Sequence, residues 1–267
     1  METWDLIQQW NLVLPPSRPT EAQLSLIKNQ INVIDRSKSV AVLGSTPEFL
    51  DVFHEYDFRK IYVLEKNMNF YKAMLELRIF QKTEQVVEGD WLETLPNLKD
   101  HFSLILSDLT IGNVPYEKRN RFYRLITEAL KEGGIFCDKV LTHVGQNLSV
   151  DSLIKKYSLL PLNLLYINYF SCEMLFCSEL LDINNVVDTT LFYSILEERI
   201  TNKRVRAFVQ HAKKITPPDC LWYYGRKWEE VKTEYCPDLK LIDANDDELS
   251  SPYYKRLKFF TFIKKTG

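Results

Sequence analysis

Apolar runs recur along the first half of the chain, each ended by glycine or an acid and most followed by a helical period. Residues 40–43 stop at Gly44, 61–64 at Glu65, 85–88 before Gly89-Asp90, and 102–106 at Ser107-Asp108. Residues 135–141 complete the series. Short continuous runs of this kind predict strands buried on both faces. Between them, residues 47–56, 68–80 and 116–130 carry helical periodicity, and the last is followed by Glu132-Gly133-Gly134, a glycine stop. Before the first strand, Pro15 to Pro19 break an amphipathic segment, residues 1–14. Thr20 then caps a helix reaching about Ile34, with Glu21 at its positive end.

Strand alternating with helix, five times over, implies right-handed crossovers and a parallel sheet. Residues 151–157, 164–181 and 187–199 read as successive helices with no strand between them. Residues 228–234 read as one more helix, and 239–243 and 257–263 as two closing strands around an acidic loop with Asp246, Asp247 and Glu248. The expected fold is a Rossmann-like, mostly parallel seven-stranded sheet. Helices cover both faces, and a helical insertion precedes the last two strands. The domain boundaries that follow are an N-terminal helical segment, 1–38; a cofactor-binding core, 39–150; a helical lid or acceptor subdomain, 151–227; and a closing helix and strand pair, 228–267.

Four features fall at the carboxyl ends of successive strands: the Gly44 turn, Glu65, Asp90 and Asp108. Ligands of open α/β sheets bind at that edge, and Glu65 lies about twenty residues past the turn, where an acid meets ribose hydroxyls. A dinucleotide site needs GxGxxG to seat its pyrophosphate on a helix amino end. Here only Gly44 is present, and Glu48 would oppose a phosphate. Ser45 to Glu48 also fits a capping box that would consume the free N–H groups. A cofactor without phosphates and with a cationic centre fits better, which favours S-adenosylmethionine.

Together, VAVLGSTPEF, the strand ending in Glu65, GDW at Asp90-Trp91, the SDL strand end and LKEGGIF resemble class I S-adenosylmethionine-dependent methyltransferases. The nearest likeness is to a bacterial subgroup whose loop reads LG-x-TPE in place of ExGxGxG. Arg18-Pro19-Thr20-Glu21 is similar to its upstream RP-S/T-x-E segment. The resemblance implies that Gly44 and Ser45 let backbone approach the methionine part and that Glu65 holds the ribose. Lys66 and Asn67 would border ribose and adenine, and Asp90 would accept from the adenine amino group with Trp91 beside it. Asp108 and Leu109 would line the methionine end, and Arg18 would pair with the cofactor carboxylate. DLTIG after the fourth strand is not N/D-P-P-Y, the sequence that accompanies methylation of planar amide or base nitrogens.

The implied activity is methyl transfer to an oxygen or nitrogen of a small-molecule acceptor. Rival readings are a non-catalytic S-adenosylmethionine-binding or interaction protein and an aminopropyl-transferase-like enzyme. His143, after the fifth strand, is the candidate base; it could equally be a rim residue. His211 among Lys203, Arg204, Arg206, Lys213 and Lys214 reads either as an anion site or as a solvated helix face. Tyr116, Tyr157, Trp222, Tyr223 and Tyr224 are core or pocket wall.

Composition narrows the partners. The 267-residue chain has a net charge of −2, which gives no general attraction to nucleic acid or anionic membrane. Residues 159–181 are the most apolar stretch, but Pro161, Asn163, Asn168, Ser171 and Glu173 interrupt it. A buried or interface helix is expected there and not a membrane span; a homodimer could form through it. Five cysteines without a CxxC pair read as reduced core thiols of a cytoplasmic protein. No metal site is expected, because Cys172 and Cys177 lack a second ligand pair.

Overall fold

The structure is a computed structural model that describes residues 3–15, 17–142, 148–182, 184, 186–224, 226–246 and 257–266. Helix α1 (Thr3–Leu12) precedes α2 (Glu21–Ile31), whose capping box is complete. The Thr20 hydroxyl accepts from the Gln23 amide, and the Gln23 side chain accepts from the Thr20 amide, both at 3.2 Å. Strand β1 (Ser39–Leu43) is buried along its whole length, hence its unbroken apolar sequence. The alternation continues with α3 (Pro47–Glu55), β2 (Lys60–Glu65), α4 (Met68–Leu75), β3 (Gln85–Glu88) and the short α5 (Trp91–Thr94). It ends with β4 (Phe102–Asp108), α6 (Arg119–Ala129) and β5 (Leu130–Leu141).

The helical insertion comprises α7 (Val150–Leu159), α8 (Leu164–Met174), α9 (Thr189–Arg199) and α10 (Lys203–Ile215). Two short strands, β6 (Val187–Asp188) and β7 (Leu221–Trp222), pair antiparallel around its end. Helix α11 (Trp228–Val231) leads to β8 (Leu239–Asp246) and β9 (Leu257–Lys264). The main sheet has seven strands in the order β3-β2-β1-β4-β5-β9-β8. All its pairs are parallel except those of β9, which runs against β5 and β8. The expected seven-stranded α/β architecture, with its insertion before the last two strands, is what the chain forms.

One face of the sheet packs Val40, Val42 and Leu104 against α2 and α3 through Ile27, Ile31, Phe49 and Phe53. The other packs Ala41, Leu43 and Ile105 against Phe122 and Ile126 of α6. The insertion has its own core around Tyr157, Phe170, Phe192 and Phe208. Helix α1 ties the two together. Leu6 packs on Ala73 and Met74 of α4. Gln9 Nε2 donates to the Ile215 carbonyl at 2.9 Å, and Asn168 of α8 bonds the backbone of Leu12 and Leu14, each at 2.9 Å. No described helix is long and apolar enough to cross a membrane.

Several local expectations are corrected. The helix expected to reach Phe80 ends at Leu75, because the Asp51 carboxylate takes the amides of Ile79 and Phe80 at 3.0 Å and Arg78 turns inward onto buried Glu84. Gly133-Gly134 do not cap α6. The helix stops at Ala129, whose carbonyl and that of Glu128 accept the amides of His101 and Asp100, and the glycines lie within β5. Residues 187–199 are not all helix, since the first two form β6. Asp247 and Glu248 of the acidic loop lie outside the described residues. All five cysteines are free thiols; Cys137 and Cys177 are buried and the other three half-buried. Burial pushes the Cys137 thiol up to about 12.

Candidate active-site cleft

Beyond the carboxyl ends of β1, β2 and β4 lies a cleft of about 960 Å3. That is near the upper end of the ~300–1,000 Å3 usual for small-ligand sites, room for a cofactor and a second small molecule. Strand β1 pairs with β2 on one side and β4 on the other. The chain order reverses there, and the strand ends splay to leave a crevice.

Gly44 begins the floor. Its amide donates to the Leu64 carbonyl at 2.9 Å and its φ is +87°. A Cβ there would meet only Glu65 Oε2 at 3.9 Å, an ordinary contact, so backbone conformation and not space calls for glycine. The expected capping box across Ser45 to Glu48 does not form. Thr46 is the N-cap of α3 and makes no side-chain cap bond. The Ser45 hydroxyl instead donates to Glu65 Oε2 at 2.9 Å, and the Thr46 hydroxyl to Asp108 Oδ2 at 3.2 Å. The two hydroxyls splay across the cleft floor, one to the β2 side and one to the β4 side.

Glu65 is 7% exposed and has no cationic partner among the described residues. Its Oε1 accepts the Asn67 amide at 2.7 Å. Burial raises its carboxyl above the ordinary value, opposed by the bonds from Asn67 and Ser45. Lone pairs remain on both oxygens. Asn67 caps α4, accepting the amides of Asn69 and Phe70 at 3.1 Å, while Lys66 is exposed at the rim. Asp90 serves two ends. Its Oδ1 caps α5 through the Leu92 amide at 2.9 Å, and its Oδ2 lies 3.6 Å from Lys66 Nζ. Trp91 is fixed by its indole N–H, which donates to the Leu64 carbonyl at 2.8 Å.

On the β4 side, Asp108 Oδ1 lies 2.9 Å from Nζ of Lys139, with both side chains buried. Asp108 and Lys139 are register partners in β4 and β5. Sequence reading missed Lys139; the available signal was a lysine in the apolar run FCDKVL. Leu109 follows with φ +57°, its amide donating to the Lys139 carbonyl at 3.0 Å. A non-glycine residue held there carries roughly 1–2 kcal/mol of strain, of the kind stored at functional sites.

Gly112 of the DLTIG segment has a steric reason. A Cβ on it would fall 1.9 Å from Cε1 of Tyr224. The Tyr223 amide donates to the Gly112 carbonyl at 2.9 Å, and buried Arg119 reaches the carbonyls of Val114 and Ile111 and the carboxylate of Glu234. The segment around β7 is thereby sewn onto the loop after β4. Trp222 and Tyr224 form cleft wall, with rings 6.0 Å apart. Tyr157 belongs to the insertion core, and Tyr116 packs edge-on to Tyr223. Trp10 of α1 also lines the cleft, a contact sequence alone did not suggest.

Arg18 is placed differently from the expectation. Its Nε donates to Glu48 Oε1 at 2.6 Å and its guanidinium sits 5.5 Å from the Trp10 ring, so its carboxylate partner is internal. Burial raises the Glu48 carboxyl, against the pull of Arg18. His143 lies outside the described residues. Among the described residues no histidine lines the cleft; His54 is buried against Glu84, and His211 is exposed on α10. Lys213 on that helix pairs with Glu197 at 2.6 Å. No cluster of three His, Cys, Asp or Glu side chains among the described residues is arranged to hold a metal ion.

Solved structures share this architecture. One from Rhodobacter sphaeroides, provisionally described as a Zn-dependent alcohol dehydrogenase, matches at TM-score 0.62 and 15% identity, covering 98% of this chain and 97% of its own. An S-adenosylmethionine-dependent methyltransferase from Methanosarcina mazei matches at TM-score 0.53 and 10% identity, over 90% of this chain and 98% of its own. Another, from Mesorhizobium loti, matches at 0.51 and 11% over the same shares. No protein-family model matches the chain, and no curated protein matches it by sequence. At these identities the likeness establishes the fold, a Rossmann-like fold shared with S-adenosylmethionine-dependent methyltransferases.

Proposed function

We propose that the cleft binds S-adenosylmethionine and that the chain transfers its methyl group to a small-molecule acceptor. The observation that carries this reading is Glu65. A buried carboxylate with no cationic partner among the described residues, at the tip of β2 and with lone pairs to spare, is costly unless a ligand's donors complete it. A vicinal diol supplies two such donors. The loop beside it has one glycine and an acid in the first turn of α3, which suits a ligand without phosphates. When bound, the cofactor supplies an electrophilic methyl on a sulfonium, open to in-line displacement.

Glu65 then orients the ribose. Lys66, Asn67, Asp90 and Trp91 border the adenine, and Gly44 and Ser45 let backbone pass close to the methionine part. Asp108 and Leu109 form the wall at the reacting end, where Lys139 balances the Asp108 charge and fixes its position. Trp10, Trp222 and Tyr224 exclude water and give the acceptor a flat, largely apolar seat. Alignment and water exclusion are the enzyme's main contributions to such a displacement. Residues 151–227 serve as the acceptor subdomain, and His143 is the candidate base for an acceptor that arrives protonated. The LG-x-TPE loop supports placement in that bacterial methyltransferase subgroup. The zinc-dependent dehydrogenase named for the Rhodobacter structure lacks support from the described donor residues.

Titration calorimetry with S-adenosylmethionine and S-adenosylhomocysteine tests the cofactor. Binding is expected, weakened in Glu65→Ala and in Asp90→Ala; absence of binding, or binding untouched by both substitutions, refutes it. Transfer of a labelled methyl to a panel of small aromatic alcohols, amines and thiols tests the reaction.

A further inference from the structure

Four of the large apolar side chains most exposed to solvent fall within seven residues. Leu159 is 77% exposed, Leu162 41%, Leu164 37% and Leu165 44%. They form the tip between α7 and α8, with exposed Pro161 and Asn163. Apolar surface this concentrated marks a contact, whereas the isolated exposed Val33, Ile79 and Leu191 need no explanation.

On α7, α8 and α10 the charges nearest the tip share one sign. From Ser152 to Cys172 there is no acid. Lys155 and Lys156 stand on the last turns of α7, and Arg204 of α10 reaches the Leu160 carbonyl at 3.4 Å, with exposed Lys203 preceding it. The nearest acids on these helices are engaged. Glu173 is buried and paired with Lys156 at 2.5 Å, and Asp151, at the far end of α7, pairs with Arg199 at 2.8 Å.

We propose that the α7–α8 tip docks the protein on an anionic lipid surface. The leucines would enter the headgroup–acyl boundary, typically ~5–10 Å deep, while the basic collar meets lipid phosphates. Backbone entering that layer must be satisfied internally, and two polar groups of the tip already have partners within the chain. Asn163 caps α8 through the Tyr166 amide at 3.0 Å, and the Leu160 carbonyl is held by Arg204. Tyr166 and Tyr169, half-buried one and two turns in, stand where aromatic residues favour a membrane interface. A second copy of the chain suits the tip less. The four leucines expose roughly two side chains' worth of surface, far below the ~800 Å2 per partner of a stable interface, and two basic collars would repel.

Cosedimentation with vesicles of phosphatidylcholine alone, or with one quarter phosphatidylglycerol, tests this. The full chain is expected to bind the anionic vesicles at low salt, and to lose binding in high salt. Leu162→Asp/Leu165→Asp should weaken binding at least ~tenfold, and Lys155→Glu/Arg204→Glu should remove the preference for anionic lipid. An unchanged melting temperature and unchanged S-adenosylhomocysteine affinity in these variants exclude misfolding and separate the result from the cofactor reading. Failure of the wild-type chain to bind anionic vesicles, or binding indifferent to the leucine substitutions, overturns the proposal. So does a leucine-dependent dimer in light scattering without lipid binding.

Discussion

Glu65 and Asp108 occupy equivalent places, at the tips of β2 and β4 on either side of β1, yet the fold treats them oppositely. Among the described residues the buried Glu65 meets only neutral donors, a serine hydroxyl and backbone amides. Asp108 is buried against a fully buried lysine. A carboxylate without a cation keeps its appetite for a ligand's hydroxyls. A carboxylate with one is a fixed piece of wall. Under the proposed function the two sides of the cleft divide the work: Glu65 at the tip of β2 would recognise a vicinal diol, and β4 would hold shape next to the reacting end. Ser45 and Thr46, adjacent in sequence, send one hydroxyl to each acid, so the first loop reports to both sides.

The largest effect should come from breaking the β4 pair. Lys139→Met leaves Asp108 with a buried, uncompensated carboxyl, and stability is expected to fall by about 3–5 kcal/mol in denaturant unfolding. Adding Asp108→Asn should recover most of that. If the double variant is no more stable than the single one, the two groups are not a pair in the physical sense, and the contrast with Glu65 collapses.

Next is Glu65→Gln, which keeps the shape but gives up one acceptor and the charge. Affinity for S-adenosylhomocysteine is expected to drop about 100-fold, near 3 kcal/mol, with little change in melting temperature. The wild-type site should also be pH-dependent. Burial raises the Glu65 carboxyl, so it takes up its proton at a higher pH than an ordinary glutamate. Affinity is then full at neutral pH and declines with acidification before the usual carboxylate value of about 4.3 is reached. The Gln variant should lose that slope. A wild-type affinity flat down to the ordinary range would show that Glu65 does not meet the ligand as a carboxylate.

How much of this was legible follows from the range of each interaction. The parallel strands are continuous apolar runs closed by glycine or acid, so β1 to β5 and the acids at their tips could be placed by phase alone. Lys139 could not be, since its role depends on the β4–β5 register that sets it beside Asp108. Arg18 looked free because Glu48 is thirty residues away. Trp10 enters the cleft only because α1 folds back over α4. Strands β6 and β7 are two residues each, too short to show a period. The glycines after α6 read as a cap because nothing local reveals that β4's approach already fills the last carbonyls.

A third buried carboxyl sharpens the contrast from the opposite face of the sheet. Asp138 adjoins Lys139 in sequence but meets neutral hydroxyls, those of Ser107, Tyr235 at 2.8 Å and Tyr123 at 3.1 Å. Burial pushes it up to about 6. The folded chain therefore holds this proton where the unfolded chain has released it, and between about pH 4 and 6 stability falls as pH rises. Asp138→Asn preserves an acceptor for the tyrosines and should erase this slope, gaining roughly 1–3 kcal/mol at neutral pH relative to an ionised Asp138. Unfolding curves at pH 4.5 and 7 in both chains measure it. An identical pH slope in the variant would mean that tyrosine donors satisfy a carboxylate as fully as a cation does.

The smallest effect belongs to Asp90, which stands between the two extremes. One oxygen caps α5 and the other faces Lys66 from a side chain 41% exposed. Asp90→Ala should cost about 1 kcal/mol of stability through the lost cap and weaken S-adenosylhomocysteine several-fold. Asparagine separates the two roles. Asn is as good an N-cap as Asp, so stability should return. Its single carbonyl is then engaged by the Leu92 amide, and the remaining group is a donor that cannot accept from an adenine amine. Affinity should therefore stay at the alanine level in Asp90→Asn while the melting temperature recovers. An Asn variant that binds like wild type would reduce Asp90 to a helix cap and leave Glu65 as the recognising acid of the β2–β3 side.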